Sequence, residues 1–517
     1  MLWLTLGIVG CGAPEVRPKP ELAALAAKTG RIESVKLTEQ SQSPPVSIEQ
    51  ATKELAKGVT EPNQPRPVVK LTLEEVRAAA LANNLDLKVQ LISPALAQQT
   101  VDAERAKFES VFRASAGYGT PSSRTLGAGL TTPLQTGGTV TADLPVGDQD
   151  GVSEAAASVS VVQSLLRGAG TRINAASIQV AGYQKGAVDA VTKLQAIYIL
   201  SGADIAYWRL YAARKQLDVS REQYKLAEHQ VKIARFKVAA GSLPKNEIVR
   251  AEAGLSSRLD AVIGAETTVR DRERELKRIM NRADLPLHSL VDVNTVTDPD
   301  PKGLDLDQEA LVKAALENRM ELAELELRLA IGDIDIALAR NNLLPLLNVE
   351  YTYTAGGQAG SVGGAVDNLV HRPAQDHWIG LSAAIPLGNR AAEAQYRRAR
   401  LEKVRIELDR QQQQQQVRQD VYDALDGLQQ NWRRILAAEQ GVIAAYREYR
   451  VEQSQFQLGR RTSTEVLQAA SSLAENQLRR ISTFADYEIA QVMLARATGT
   501  LLGHGQVQLP PAVLEGK

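Results

Sequence analysis

The nine residues LLNVEYTYT (346–354) decide the fold. Leu347, Val349, Tyr351 and Tyr353 alternate with Asn348, Glu350 and Thr352. Period two marks a strand with one apolar and one polar face. Two surroundings suit such a strand: a soluble sandwich, or a transmembrane barrel with lipid outside and water inside. A partner run places Ile379, Leu381, Ala383 and Ile385 against Gly380, Ser382 and Ala384. Residues 346–386 therefore read as a β-hairpin with a long loop at 354–376. A fainter version lies upstream. Phe112, Ala114, Ala116 and Tyr118 alternate with Arg113, Ser115 and Gly117, and Val159 and Val161 with Ser158 and Ser160. Residues 112–163 read as a second hairpin, with 120–154 as its Gly/Ser/Thr/Asp-rich loop. Two hairpins supply four strands per chain. Four cannot close a barrel, and an open sheet edge cannot sit in lipid. Three chains would give twelve, an even number above the minimum of about eight.

Outward from the hairpins the chain repeats itself. LTLEEVRAAALANNLDL (71–87) resembles LDLDQEALVKAALENRMEL (304–322), and AKFESVFRASAGYG (106–119) matches ARNNLLPLLNVEYT (339–352) in position. SVSVVQSLLRGAGTRINAA (158–176) parallels IGLSAAIPLGNRAAEA (379–394), and FKVAAGSLPKNEIVRAEAGL (236–255) parallels FQLGRRTSTEVLQAASSL (456–473). Four matches in one order divide the chain into two repeats, 71–303 and 304–499. Each opens with a short helix (72–83; 307–318) and a medium one (86–110; 320–343). After each hairpin comes a Pro-free stretch, 172–240 and 389–458, long enough for a helix of about 105 Å. One seam runs Leu194, Tyr198, Ser201, Ile205, Trp208, Ala212, Leu226, His229, Ile233 and Phe236. The other runs Val421, Leu425, Leu428, Trp432, Ile435, Val442, Tyr446, Tyr449 and Phe456. This 3–4 spacing is coiled-coil periodicity. Turns follow at Gly241–Pro244 and Gly459–Thr462, and a returning helix completes each long hairpin, 172–281 and 389–498. Residues 11–70, broken by prolines, read as a tether, and 500–517 as a C-terminal tail.

The expected architecture is an α-helical barrel of long coiled-coil helices plus a transmembrane β-barrel. It is internally duplicated, with four strands per chain, so several chains must share the barrel, a trimer giving twelve strands. Equal numbers of basic and acidic side chains, 60 of each, provide no field to draw the chain to nucleic acid. No phosphate loop, catalytic triad or paired metal motif is legible, which argues against an enzyme and names no cofactor. His371 and His377 lie six apart beside Asp376, without tight ligand spacing. A periplasmic coiled-coil scaffold is the alternative to a channel.

The paired LTLEEV…ALANN and LENR helices, QSLLRGAG, IPLGN and GRRTSTEVLQA together resemble the TolC-type outer-membrane efflux proteins over 71–500. That resemblance implies a homotrimer in the outer membrane of a Gram-negative-type bacterium. It also implies a tunnel across the periplasm, completed by a periplasmic adaptor protein and an inner-membrane pump in efflux or type I secretion. It implies a periplasmic gate at the last turn, with Arg461 at the constriction, Glu465 in a ring of carboxylates, and Gln468 where some members carry a second acid. The same Glu in a first helical turn is equally a cap. The turn tips Gly241, Ser242, Leu243, Gly459, Arg460 and Thr462 are the implied adaptor contacts. At the other end, residues 1–10 read as a signal peptide, and Ile8-Val9-Gly10-Cys11 resembles the bacterial lipoprotein box. Cys11, the sole cysteine, is then the lipid attachment point, and Gly12 after it favours the outer membrane. Replacing it, Cys11→Ser, is expected to abolish incorporation of labelled fatty acid; retained label in the variant would refute lipidation.

Overall fold

The computed structural model describes residues 67–119, 123–149, 151–458 and 460–504. Cys11, the signal peptide, almost all of the tether and Gly459 lie outside the described residues. The chain enters through strand β1 (Val68–Leu71) and helices α1 (Leu73–Asn83), α2 (Leu85–Gln90) and α3 (Ile92–Ala106). Four strands follow: β2 (Val111–Gly119), β3 (Ser123–Pro133), β4 (Gly138–Gln149) and β5 (Val152–Ser164). A short α4 (Thr171–Asn174) leads into the 64-residue α5 (Ala176–Ala239), and α6 (Asn246–Met280) returns. Strand β6 (Asp292–Thr295) lies in the linker to α7 (Gln308–Asn318) and α8 (Met320–Asn341). The second series continues with β7 (Leu346–Ala359), α9 (Val362–His371) and β8 (Ala374–Ala384). It ends with the 68-residue α10 (Arg390–Gln457), α11 (Ser463–Ala497) and α12 (Leu501–His504).

Helix lengths follow from local rules. Thr72 caps α1 in a capping box with Glu75, and Asn84 starts α2 by accepting from the Leu87 N–H. The expected helix at 86–110 is interrupted at Leu91, because Pro94 lacks the N–H that would bond back to Gln90. At about 1.5 Å per residue, α5 extends roughly 96 Å and α10 roughly 102 Å. Both are longer than any side-by-side packing with the sheet requires.

The β-structure corrects the expectation. Residues 120–154 are not a loop: they contain the whole of β3 and β4, and the sheet has six strands among the described residues, in the order β2-β3-β4-β5-β7-β8. All neighbours are antiparallel. A count of four strands per chain, and with it twelve in three chains, does not hold for this sheet. The segment looked like a loop because glycine, threonine and alanine dominate it. Its apolar residues nonetheless fall on alternate positions: Leu126, Ala128 and Leu130, then Val140, Ala142, Leu144 and Val146. The expected loop at 354–376 also holds structure, since β7 runs on to Ala359 and α9 follows. The tether expected to reach residue 70 ends earlier, because Val68–Leu71 pairs in parallel with Asp292–Thr295.

The register puts one chemistry on each face. Phe112, Leu130, Ala142, Val159, Tyr353 and His377 form one row across all six strands. One residue along, Arg113, Gly129, Asp143, Ser158, Thr354 and Asp376 form the row of the opposite face. Near the tips, α9 lies against the apolar face, with its Ala365 backbone directly over Gly357. Most of the apolar row is exposed, with Phe112 at 68% and Ile379 at 75%.

The core sits instead at the middle of the long helices. Leu71, Val76, Leu210, Leu276, Met280 and Val293 join α1, α5, α6 and the two-stranded pair. The linker between the two series is sewn on by tyrosines. The Tyr207 hydroxyl donates to the Leu71 carbonyl at 3.2 Å and accepts from the Thr297 N–H at 2.9 Å, and Tyr487 donates to the Lys302 carbonyl. Burial, with the Asp298 carboxylate alongside, pushes the Tyr211 hydroxyl up to about 12. On the lower half of α5 the expected seam is on the wrong side. Leu226 and Phe236 are exposed, whereas Tyr224, Ala227, Val231 and Ala234 are buried. Alanine allows the close helix approach that larger side chains prevent.

The buried ion pair between α1 and α5 ties the entry helices to the shaft. Arg77 donates through Nε and Nη2 to both Asp204 oxygens, at 2.8 and 2.9 Å, and Asp204 is fully buried. Asp204→Ala leaves a guanidinium without its carboxylate, at a cost of about 3–5 kcal/mol. The apolar double variant Arg77→Met/Asp204→Leu loses much less. Limited proteolysis within α1 is the readout; equal protection in wild type and Asp204→Ala would contradict the assignment.

Candidate functional site

The geometry that could carry function is distributed between the tips of the helix hairpins and the sheet. The first place is the pair of helix-hairpin tips. Helix α5 stops at Gly241, which adopts φ of +74°, a left-handed conformation that glycine reaches at little cost. Ser242 N–H returns to the Lys237 carbonyl at 2.8 Å and Gly241 N–H to Val238 at 3.0 Å, closing the helix end. A Cβ on Gly241 would meet nothing within 4 Å, so the backbone angle alone selects glycine. Gly241 and Ser242 are exposed and Leu243 is half-buried.

At the second tip Arg460 donates its backbone N–H to the Gln455 carbonyl at 2.9 Å. Thr462 is the N-cap of α11. The Glu465 carboxylate accepts from the Thr462 N–H at 2.7 Å, from the Thr462 hydroxyl at 3.1 Å and from Arg461 at 2.7 Å. Arg461 also lies 3.3 Å from Glu452. Thus Arg461 and Glu465 are brought together, while Gln468 is exposed one turn further along α11. The Thr462 N–H, then Arg461, hold the Glu465 carboxyl below the usual carboxylate range, and Glu465 holds the Arg461 guanidinium above its own. Within one chain this is a helix cap bolted to the end of α10. The same side chains stay partly exposed, so the cap leaves them available to solvent.

Sequence reasoning missed the link between the tips. Lys237 Nζ sits 4.0 Å over the Phe456 ring and donates to the Phe456 carbonyl at 3.2 Å. It joins the last turn of α5 to the last turn of α10, and no local pattern announces a cation–π contact across 219 residues. Further up, Arg258 of α6 donates to the Ser471 hydroxyl of α11. The histidines of the second hairpin are accounted for locally. His377 Nδ1 lies 2.9 Å from the Tyr351 hydroxyl, and His371 lies 3.1 Å from Asp367. No group of three or more His, Cys, Asp or Glu is placed to hold a metal ion among the described residues.

The second place is the sheet itself. Among the described residues, strand β2 pairs only with β3, and β8 only with β7. Each therefore carries one row of unpaired backbone groups along the sheet edge. An amphipathic sheet with two open edges is carried at the end of long helical hairpins, the arrangement the sequence led us to expect for a membrane β-barrel joined to a helical tube.

Comparison with known proteins agrees. Residues 311–500 match the family described as Outer membrane efflux protein, so the resemblance expected from the sequence stands. No curated protein matches the chain. Among solved structures, a membrane protein from Pseudomonas aeruginosa superposes with a TM-score of 0.64 at 18% identity, covering 83% of this chain and 90% of its own. The Campylobacter jejuni CmeC outer membrane channel gives 0.63 at 15% identity, covering 91% and 94%. The outer membrane protein VceC from Vibrio cholerae gives 0.62 at 16%, covering 86% and 97%. At these identities the likeness is one of fold.

The cap at the second tip carries a pH sign. Because the Glu465 carboxyl is depressed, its contribution is complete above the ordinary glutamate value of about 4.3 and is lost as pH falls below it. Protection of the 460–466 backbone amides, measured against their intrinsic exchange rates at each pH, should fall on acidification through that window, and at neutral pH in Glu465→Ala. Protection indifferent to both changes would remove the cap.

Proposed function

We propose that three copies of this chain form a passive outer-membrane duct for efflux or type I secretion. One observation carries the reading: a single sheet, apolar on one face and polar on the other, ends in two unpaired edges. In water such edges invite association, and in lipid they demand it. Pairing β8 of one copy with β2 of the next satisfies both edges and sets the polar faces around a lumen. The exposed apolar residues of α10, among them Leu401, Leu408, Tyr446 and Val451, support the same assembly, in which neighbouring copies cover them. The long hairpins then form the tunnel wall across the periplasm. The match to outer membrane efflux proteins supports this location.

In this reading the tips do two jobs. Arg461 and Glu465, with Gln468 on the same helix, form the periplasmic constriction. A ring of three Glu465 carboxylates attracts cations and disfavours anions. Gly241, Ser242, Leu243, Gly459, Arg460 and Thr462 present the surface for a periplasmic adaptor, and an inner-membrane pump supplies the driving force. The duct performs no chemistry. Lipid on Cys11 adds an anchor to the inserted barrel.

The test is membrane fractionation followed by planar-bilayer recording. The protein is expected as a detergent-extracted trimer from outer membranes that conducts ions, with weakened cation preference in Glu465→Ala. Recovery as a monomer in detergent-free extract would favour a coiled-coil scaffold. A conducting trimer with unchanged selectivity would remove the carboxylate ring alone.

A further inference from the structure

Resting on the duct reading, we infer that β3 and β4 are wall strands of the barrel, so that three copies build eighteen strands rather than twelve. The alternative is a β3–β4 hairpin that hangs beside or above the wall. Four observations decide between them.

The first is height. At the helix end one row runs Val111, Thr131, Thr141, Ser160, Thr352, Trp378. At the loop end the row runs Tyr118, Arg124, Asp148, Ser153, Ala359. Strands β3 and β4, of 11 and 12 residues, thus span the same height as β2 and β5. Tilted wall strands need about 9–11 residues to cross the hydrocarbon.

The second is chemistry. Leu126, Leu130, Leu144 and Val146 fall on the face that carries Phe112, Val159, Tyr353 and Ile379. Thr125, Thr131, Thr141 and Asp143 fall on the other. A hairpin projecting into water gains nothing from that match. Leu126 is 65% exposed and Leu144 53% exposed, so none of the described residues covers them. Gly129 and Gly127 leave the polar face bare of bulk; the Asp143 and Ser115 side chains lie over these glycines.

The third is anchorage. The turn between β3 and β4 is seated on the segment leading to α5. Gly170 N–H and Gln163 Nε2 both donate to the Thr136 carbonyl, at 2.9 Å. Gly137, at φ of +88°, packs so close to the Gly168 carbonyl that a Cβ there would fall 1.9 Å from it. The hairpin is therefore bonded along both long sides and at its base.

The fourth is closure. Strand β2 runs from the helix end to the loop end and β8 runs back, so β8 of one copy meets β2 of the next antiparallel. Six strands per copy, like four, keep the total even, so closure permits the wider wall. Barrel diameter grows roughly linearly with strand number, so eighteen strands give about 1.5 times the width of twelve. Barrels of 16–18 strands are those with open aqueous channels. Four long helices per copy make a twelve-helix tube, which widens on entering this barrel. Bulky cargo is then admitted or refused at the helical tips, and the outer pore imposes no further sieve.

The experiment is an end-on reconstruction of the purified full-length protein by electron cryomicroscopy. Eighteen strands per trimer support the inference. A trimer with a twelve-stranded wall and β3–β4 outside it overturns the inference and leaves the duct intact. Absence of any shared barrel overturns both. An independent readout uses spin labels at single cysteines in a Cys11→Ala background, with the protein in lipid vesicles. Labels at Leu126, Leu144 and Val146 should be relaxed by dissolved oxygen, and labels at Thr125, Asp143 and Thr141 by a water-soluble nickel chelate. Nickel access on both faces of β4 would place that strand outside the wall and overturn the inference.

Discussion

A sheet edge in hydrocarbon has no solvent to bond to, and every unpaired N–H or C=O there costs several kcal/mol. This constraint organises the molecule. Its six-stranded sheet stops at β2 on one side and β8 on the other, with no strand among the described residues to cover either. In the proposed duct the chain carries an unfinished barrel. Identical edges on identical copies are the cheapest completion, because the register, the direction and the two-faced chemistry already agree.

The helical part solves a separate problem. Helices near 100 Å cannot be stabilised by their ends. Each is instead packed along its length, over one part by a returning helix, α5 with α6 and α10 with α11, and over the rest by the shorter α3 and α8. The mid-shaft core around Tyr207, Leu276 and Val293 fixes where the linker crosses. The tips are held more lightly. Lys237 on Phe456 and Arg461 on Glu465 and Glu452 are contacts that a change of charge or a bound partner can exchange without disturbing the shaft. The gate proposed at these tips would need this gradient: a rigid wall with a loosely latched end.

The long helices and their turns were legible because their signals are local. Absence of proline permits them, 3–4 spacing gives them a buried face, and Gly241 marks one stop. β2, β5, β7 and β8 were legible where large apolar residues alternate with polar ones. β3 and β4 follow the same period, but with glycine, alanine and threonine in most places. Small side chains weaken the hydrophobic signal, and the composition then resembles a loop. The lower seam of α5 failed for the converse reason. Leu226 and Phe236 are larger than Ala227 and Ala234, yet the alanines face the neighbouring helix, because close packing there selects for small volume.

The amino-acid sequence by itself determined the alternation of the strands, the reach of the helices and the chemistry of the tips. These depend on a few neighbouring residues, and neighbours in sequence are neighbours in space. The tertiary structure alone decided how many strands share one sheet, which rows align across them, and that Lys237 meets Phe456. Those facts depend on backbone hydrogen bonds and ring contacts between segments far apart in the chain. No short window of residues contains both partners.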